Sequence, residues 1–297
     1  MKKIAVIGSI NMDLTAKTAR HPGKGETVSG WDLQYVPGGK GANQAVAAAR
    51  LGGSVMMFGC VGEDAFADRL IQNLTRNGVD TTYVRKINGV SSGIAMITVA
   101  ENDNSIVVIP GANHCVTPDY LEEVKAAVLE ADIIVLQNEI PQETVLAAID
   151  LADCAGKTVI YNPAPVVPLA GEVMEKISYL TPNEHETALL FASEKDLSSL
   201  LESQGGKLIV TLGEEGAAAW ENGEVLRRPA RPAKVVDTTG AGDTFNGAFA
   251  YALANDYPLE KALRFANIAA SLSTEGFGAQ GGMPTLELVS DHINENN

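Results

Sequence analysis

The stretch DTTGAGDTFNG, Asp237 to Gly247, sets acids, hydroxyls and glycines at the mouth of a helical segment. Phe245, Ala248, Phe249, Ala252 and Leu253 follow i, i+3, i+4, i+7 and i+8, the pattern of a buried helix that begins near Ala241. Gly240, Ala241 and Gly242 then present bare amide N–H groups at the positive end of a helix dipole, which suits the charge that builds on a transferring phosphoryl group. Asp243 is out of place in such a cradle. A carboxylate repels an anion, and an N-cap alone would be served equally well by Ser or Thr. It makes sense as the acceptor of a proton from an attacking hydroxyl, because phosphoryl transfer otherwise needs mainly positioning and electrostatic stabilisation. The plainer alternative is a capped, glycine-rich turn.

Other candidates gather at strand ends. KIAVIG runs into SINMD and leaves Asn11 and Asp13 just past a strand's carboxyl end, the edge where open α/β sheets bind ligands. An amide and a carboxylate there can hydrogen-bond polyol hydroxyls, or can belong to an ordinary polar loop. In GGKGANQAVAAARLGG (38–53), Gly38, Gly39 and Gly41 permit close backbone approach, while Ala42, Ala45, Val46 and Ala49 form a narrow apolar stripe. Gly52 and Gly53 stop that helix. Lys40 and Asn43 sit at its start among free amides, either facing a ligand or closing a tight turn. The segment is not a Walker A loop, since no Ser or Thr follows Lys40, and the chain has no GxGxxG. Glu139 follows the strand DIIVLQ, where it accepts a ligand hydroxyl or is simply solvated. In TPNEHE, Asn183 and Glu186 are spaced NxxE at a helix start, so the acid is a helix-end charge or orients hydrated Mg²⁺.

These residues need a scaffold that brings strand ends and helix starts to one edge. Short β-branched runs alternate with helical stretches, most clearly from residue 116 onward: DIIVLQ (132–137), KTVIYN (157–162), ISYLTPN (177–183) and GKLIVTLG (206–213). Each run is apolar continuously, not alternately, so helices cover both faces of a mostly parallel sheet: a doubly wound α/β fold. Two excursions, about 14–37 and 90–111, break the alternation with period-2 stretches and no intervening helix, with ENDN (101–104) as a turn. They are read as a small β-sheet lid over the mouth of the larger sheet, whose apolar face would be a dimer contact.

Composition narrows the partners. With 22 Lys+Arg and 37 Asp+Glu the net charge of −15 repels phosphate backbones and anionic lipid, which argues against nucleic acid and membrane surfaces. Gly8 and Asp13 interrupt the N-terminal apolar run before a signal core forms, and a cytoplasmic protein is expected. Cys60, Cys115 and Cys154 lack any CxxC and read as reduced thiols; the four scattered histidines argue against a zinc site.

GSINMD, GGKGANQAVAAARLG, NPAP, TPNEHE, TLGEEG and DTTGAGDTFNG, in this order, resemble the ribokinase family of sugar kinases from Lys3 to about Pro284. The resemblance implies one kinase domain over 1–297 that transfers phosphate from ATP to the 5-hydroxyl of D-ribose, and a homodimer joined through the lid. Asn11, Asp13, Gly39, Lys40, Gly41, Asn43 and Glu139 match sugar-binding positions. Asp243 matches the catalytic base, and Gly240 to Gly242 the anion hole. Asn183, the segment Thr211, Leu212, Gly213, Glu214, Glu215 and Gly216, together with Gly242 and Asn267, match nucleotide contacts; Glu186 matches the acid associated with Mg²⁺. Asp237, Thr239, Ser273, Gly276, Gly278 and Gly282 match a K⁺ loop in which several ligands are backbone carbonyls. Kinases for 2-deoxyribose, fructose or a nucleoside are alternatives within the family; a sugar- or nucleotide-binding regulator without catalysis is the alternative outside it, and the intact Asp243 argues against it.

Overall fold

The computed structural model describes residues 1–101, 103–191 and 196–294. The first half contains β1 (Lys3–Ile7), β2 (Asn11–Thr18), β3 (Gly30–Gly38), α1 (Lys40–Arg50), β4 (Ser54–Gly62), α2 (Ala67–Arg76), β5 (Asp80–Ile87), β6 (Gly93–Ala100), β7 (Asp103–Ile109), α3 (Pro118–Val128) and β8 (Ile133–Leu136). Then come α4 (Gln142–Cys154), β9 (Thr158–Tyr161), α5 (Gly171–Lys176), β10 (Tyr179–Leu180), α6 (Glu184–Phe191), α7 (Leu197–Ser203), β11 (Ile209–Thr211), β12 (Ala217–Glu221) and β13 (Glu224–Arg228). Three helices close the described chain: α8 (Ala241–Ala254), α9 (Leu259–Ser273) and α10 (Leu286–Asn294).

Six strands in the order β10-β9-β8-β1-β4-β5 form the main sheet, and every pair in it is parallel. The reason its strands read as unbroken apolar runs is plain in β1. Ile4 and Val6 enter a core shared with α1, α8 and α9, while Ala5 and Ile7 enter a second core with α3 and α4 on the opposite face. β8 divides in the same way, Ile133 and Val135 to one side and Ile134 and Leu136 to the other.

The two excursions assemble a separate four-stranded sheet, β3-β2-β6-β7, in which β2 and β6 are parallel and the outer pairs antiparallel. Glu101 takes a left-handed φ of 54° in the β6–β7 turn. Asn102 lies outside the described residues, and Asp103 and Asn104 already pair in β7, so the turn is tighter than ENDN as a whole.

Two details differ from the expectation. GKLIVTLG contributes β11 to an antiparallel three-stranded sheet, β11-β12-β13, and touches the parallel sheet through the isolated bridges Leu180–Leu208 and Asn183–Thr211. β12 follows β11 with only a single 3₁₀ turn, Gly213–Glu215, between them, and such a short connection can only return antiparallel. The narrow stripe expected on α1 is instead a helix buried on all sides from Gly41 to Ala48. It lies between the sheet and α8, where a Cβ on Gly247 would fall 2.5 Å from the Gln44 carbonyl oxygen. No helix among the described residues is long and apolar enough to cross a membrane. Cys60 is buried, and burial first, then the neighbouring Cys115, pushes its thiol up to about 12, which makes it inert.

Candidate active site

The strand order reverses at β1, which lies between β8 and β4, so the chain segments leaving β1 and β8 diverge and open a crevice beyond their carboxyl ends. Into this edge α1 and α8 deliver their first turns. Glu139, past β8, accepts through Oε2 from Ser9 Oγ (2.5 Å) and from the backbone N–H of Lys40 (3.0 Å). Gly41 N–H donates to Ser9 Oγ (3.2 Å), so residues from two strand ends satisfy the first amides of α1. Glycine makes room for this: a Cβ on Gly41 would lie 2.6 Å from the Ser9 nitrogen, and Gly39, at φ 88°, abuts the Asn11 nitrogen.

Asp243 is buried in the first turn of α8. Its Oδ2 accepts from Asn43 Nδ2 (2.8 Å) and its Oδ1 from Gln44 Nε2 (3.0 Å). Gly240 caps the helix in the left-handed conformation (φ 79°), and the Ala241 N–H turns back to the Thr238 carbonyl (3.2 Å). The N–H groups of Gly240, Gly242 and Asp243 donate to no protein acceptor among the described residues. Of the amides expected to be bare, Ala241's is therefore engaged, and Asp243's joins the remaining ones.

Asp13, on β2, lies against Gly38 of β3, where a Cβ would collide with its carboxylate. Burial, reinforced by the charges of Glu139 and Asp243, pushes its carboxyl up to about 7. Burial works against a charged Lys40, but Asp243, Glu139 and Glu186 outweigh it and hold the ammonium above its usual range. Lys40 thus sits in a field of three carboxylates. Asn11, buried beside Asp13, accepts through Oδ1 from Asn113 Nδ2 (2.7 Å).

The residues expected to contact nucleotide form a second cluster. Asn183 and Glu186 hold each other across the start of α6: Asn183 N–H donates to Glu186 Oε2 (2.9 Å) and Glu186 N–H to Asn183 Oδ1 (2.8 Å), a reciprocal capping box. Asn183 bridges to Thr211, which brings TLGEEG beside NxxE. In that segment Leu212 is buried and donates its N–H to the Gly216 carbonyl (2.8 Å), with Gly213, Glu214 and Glu215 in a 3₁₀ turn between them. Asn267 of α9 donates Nδ2 to the Arg228 carbonyl (2.6 Å), the carbonyl that packs on Gly216, so it buttresses this loop from behind.

Asp237 joins the last two loops. Its Oδ1 accepts from Thr239 N–H and its Oδ2 from Gly278 N–H, both at 2.9 Å. Burial alone would raise its pKa; these amides win and hold it below the usual carboxylate range. Gly276, Gly282 and Ser273 pack backbone to backbone, since a Cβ on Gly276 would lie 2.5 Å from Gly282 Cα. The Asp237 carboxylate and the backbone carbonyls of this tightly packed segment are the oxygens that a monovalent cation would use here. Among the described residues no group of three or more His, Cys, Asp or Glu is placed to hold a metal, so a divalent ion would need oxygens from a ligand as well.

Sequence reasoning missed Ser9, Gln44, Asn113, Gln137 and Gln280. Ser9 and Gln44 lie inside quoted motifs, GSINMD and GGKGANQ, and helix geometry around Asn43 was the available signal for Gln44. Asn113 and Gln280 reach their partners across 102 and 237 residues and carry no local signal. A separate depression of about 540 Å³ lies at the amino-terminal edge of the strands, lined by Thr158, Tyr179, Lys207 and Tyr257 among others. The chemistry is assigned to the carboxyl edge, where the carboxylates, Lys40 and the open helix-start amides converge.

Residues 1–286 match the family model described as pfkB family carbohydrate kinase. The chain is 48% identical over 291 residues to a ribokinase of Bacillus subtilis, covering 98% of this chain and 99% of that one. Its structure superimposes on a Thermotoga maritima ribokinase with a TM-score of 0.91 at 34% identity, over 99% of this chain and 100% of the other. An Arabidopsis thaliana ribokinase complexed with ribose and ATP matches at a TM-score of 0.89 and 34% identity, over 98% of each chain. A buried acid between two glycine-bearing helix starts, at the switch point of this sheet, is therefore found in a chain that belongs to the pfkB family of carbohydrate kinases.

Proposed function

We propose that the chain is an ATP-dependent kinase of D-ribose that forms D-ribose 5-phosphate. The observation that carries the reading is Asp243: a buried carboxylate held on both oxygens by neutral amides, at a helix start where the N–H groups of Gly240, Gly242 and Asp243 have no protein acceptor among the described residues. Near-full-length likeness to ribokinases supports the substrate.

Asp243 takes the proton of the sugar 5-hydroxyl as that oxygen bonds to the terminal phosphorus and the bond to the departing ADP oxygen breaks. The N–H groups of Gly240, Gly242 and Asp243, at the positive end of α8, take up charge on the equatorial oxygens. Lys40 adds a full positive charge beside the carboxylates. Asn11, Asp13, Gly39, Gly41, Asn43 and Glu139 form the sugar side; Asn183, Thr211 to Gly216 and Asn267 form the nucleotide side. Mg²⁺ bound to ATP would neutralise phosphate charge, with Glu186 orienting its water shell through Oε1, the oxygen the capping box leaves over. K⁺ would be held by Asp237 and by Thr239, Ser273, Gly276, Gly278 and Gly282, and would order the loop that Gly240 packs against.

The four-stranded sheet serves as a lid that closes over the sugar and excludes water. Trp31, Leu33, Met96 and Val107 on that sheet are exposed, which supports a homodimer through the lid in a cytoplasmic enzyme.

The test is ADP formation from ATP with D-ribose, 2-deoxyribose, fructose and adenosine side by side in Mg²⁺ and K⁺. Preference for D-ribose is expected. A preference for another acceptor would move the error to the pocket around Asn11, Asp13 and Glu139, and turnover by Asp243→Asn equal to the parent's would remove the assigned base.

A further inference from the structure

The amide side chains behind Asp243 are wired in one direction. Gln137 Nε2 donates to Gln44 Oε1 at 2.7 Å, and Gln44 Nε2 donates onward to Asp243 Oδ1 and to Asn162 Oδ1 (3.2 Å). On the other oxygen, Asn73 Nδ2 donates to Gln280 Oε1 (2.7 Å), Gln280 Nε2 to Asn43 Oδ1 (2.9 Å), and Asn43 Nδ2 to Asp243 Oδ2. Each amide touching the carboxylate has its own carbonyl oxygen held by a further amide. Turning either one around would break bonds at both ends and aim an oxygen lone pair at an anion.

One arm carries a cost that packing does not explain. Gln137 Oε1 is buried without a hydrogen-bond partner among the described residues, and such an orphaned acceptor lowers stability. The opposite orientation of that amide would set its oxygen against Gln44 Oε1 and drive Gln44 to present oxygen to Asp243. Gly8 belongs to the same arrangement, because a Cβ there would collide with Gln137 Oε1. The last turn of chain after β1 thus gives up a side chain to admit an amide with an unpaired oxygen.

We propose that Gln137 and Gln280 are positioning residues that fix the polarity of the amides around Asp243 and hold its carboxylate in one plane for proton transfer. The inference rests on the reading of Asp243 as the base. Gln137 is fully buried and Gln280 nearly so, and each acts through the residue in front of it, Gln44 or Asn43. Neutral amides suit the task. They orient a carboxylate without adding a further counter-charge, and the field of Lys40 that reaches Asp243 is shared with Glu139 and Glu186.

The test uses Gln137→Met and Gln280→Met, which keep length and remove the amide, with Asp243→Asn as reference and D-ribose and Mg-ATP as substrates. In both Met variants kcat falls roughly tenfold or more while KM for sugar and for nucleotide stays within about twofold. The thermal midpoint of Gln137→Met stays close to the parent's, because the orphaned Gln137 oxygen is exchanged for a Gln44 Oε1 that has lost its donor. A kcat within twofold of the parent in both variants, with Asp243→Asn inactive, overturns the wiring and leaves the base standing. Parental turnover by Asp243→Asn overturns the base itself. A fall in kcat matched by a raised KM and a lowered thermal midpoint means a structural role and also overturns the proposal. If Gln137→Met does not fold, Gln280→Met decides by the same criteria.

Discussion

Nδ2 of Asn113 donates to Oδ1 of Asn11 at 2.7 Å, while Oδ1 of Asn113 accepts from the Ile10 N–H at 2.9 Å. The orientation of Asn11 is thereby fixed, with its Nδ2 as the end left to meet a sugar oxygen. Gly93 keeps the space open, since a Cβ there would collide with both amides. Asn113→Asp keeps the acceptor for Ile10 but sets a second acceptor against Asn11 Oδ1, so the Asn11 amide must turn. The expected result is a KM for D-ribose raised roughly tenfold, with 2-deoxyribose affected less if the contact is to the 2-hydroxyl. Steady-state kinetics on the two sugars checks it; parental values for both would remove Asn113 from specificity.

Asp13 predicts a pH dependence with a definite sign. Its folded-state pKa, about 7, lies above the ordinary value of 3.8, so the folded protein binds a proton that the unfolded chain has released. This contribution favours folding fully below pH 3.8 and is lost as pH rises to about 7. Asp13→Asn should therefore raise the thermal midpoint at pH 8 and leave it nearly unchanged at pH 4. If the ionised carboxylate accepts sugar hydroxyls, KM for D-ribose falls roughly tenfold between pH 6 and pH 8, as the ionised fraction grows, and Asp13→Asn flattens that slope. A KM independent of pH in the parent would mean that Asp13 is not a sugar ligand.

The elements and most of the site were legible because their causes are local. Doubly buried strands write continuous apolar runs and helix starts write glycines and acids, whereas β7 is exposed along its whole length and shows none of the alternation expected in 90–111. β11 was misplaced because a continuous apolar run does not reveal its partner: Ile209 and Val210 are as buried in an antiparallel ladder as they would be in a parallel one. The second layer of the site left no local trace. Asn113 sits in a 3₁₀ turn, Gln137 just past β8 and Gln280 in a loop, and the role proposed for them rests on a hydrogen-bond direction that arises only when distant segments meet.

The contact of Asp237 with Gly278 predicts a cation effect separable from the sugar site. Gly240 packs on the next residue of that loop, with a Cβ that would fall 2.5 Å from the Ala279 carbonyl oxygen. A shift in 276–282 is thus felt at the start of α8. Turnover should rise when K⁺ replaces tetramethylammonium, and Asp237→Asn should remove the difference. Gly240→Ala adds left-handed strain of about 1 kcal/mol to a collision worth about 1–3 kcal/mol, so it should lower both stability and kcat in either salt. Equal rates of the parent in the two salts would contradict the cation loop.

Glu186 has two tasks that one substitution can separate. Its Oε2 closes the capping box with Asn183, a role Gln fills as well as Glu, whereas any part in orienting Mg²⁺ needs the charge. Glu186→Gln should keep stability within about 0.5 kcal/mol of the parent, while Glu186→Ala, which loses the box, should cost about 0.5–2 kcal/mol. At limiting Mg²⁺ both variants should need roughly fivefold more of the ion for half-maximal turnover, the loss expected for one unit charge acting through solvent. The Mg²⁺ titration of Glu186→Gln decides the matter, because it alone changes charge without changing the cap. A parental Mg²⁺ dependence there, beside a destabilised Glu186→Ala, would reduce Glu186 to a helix-capping residue.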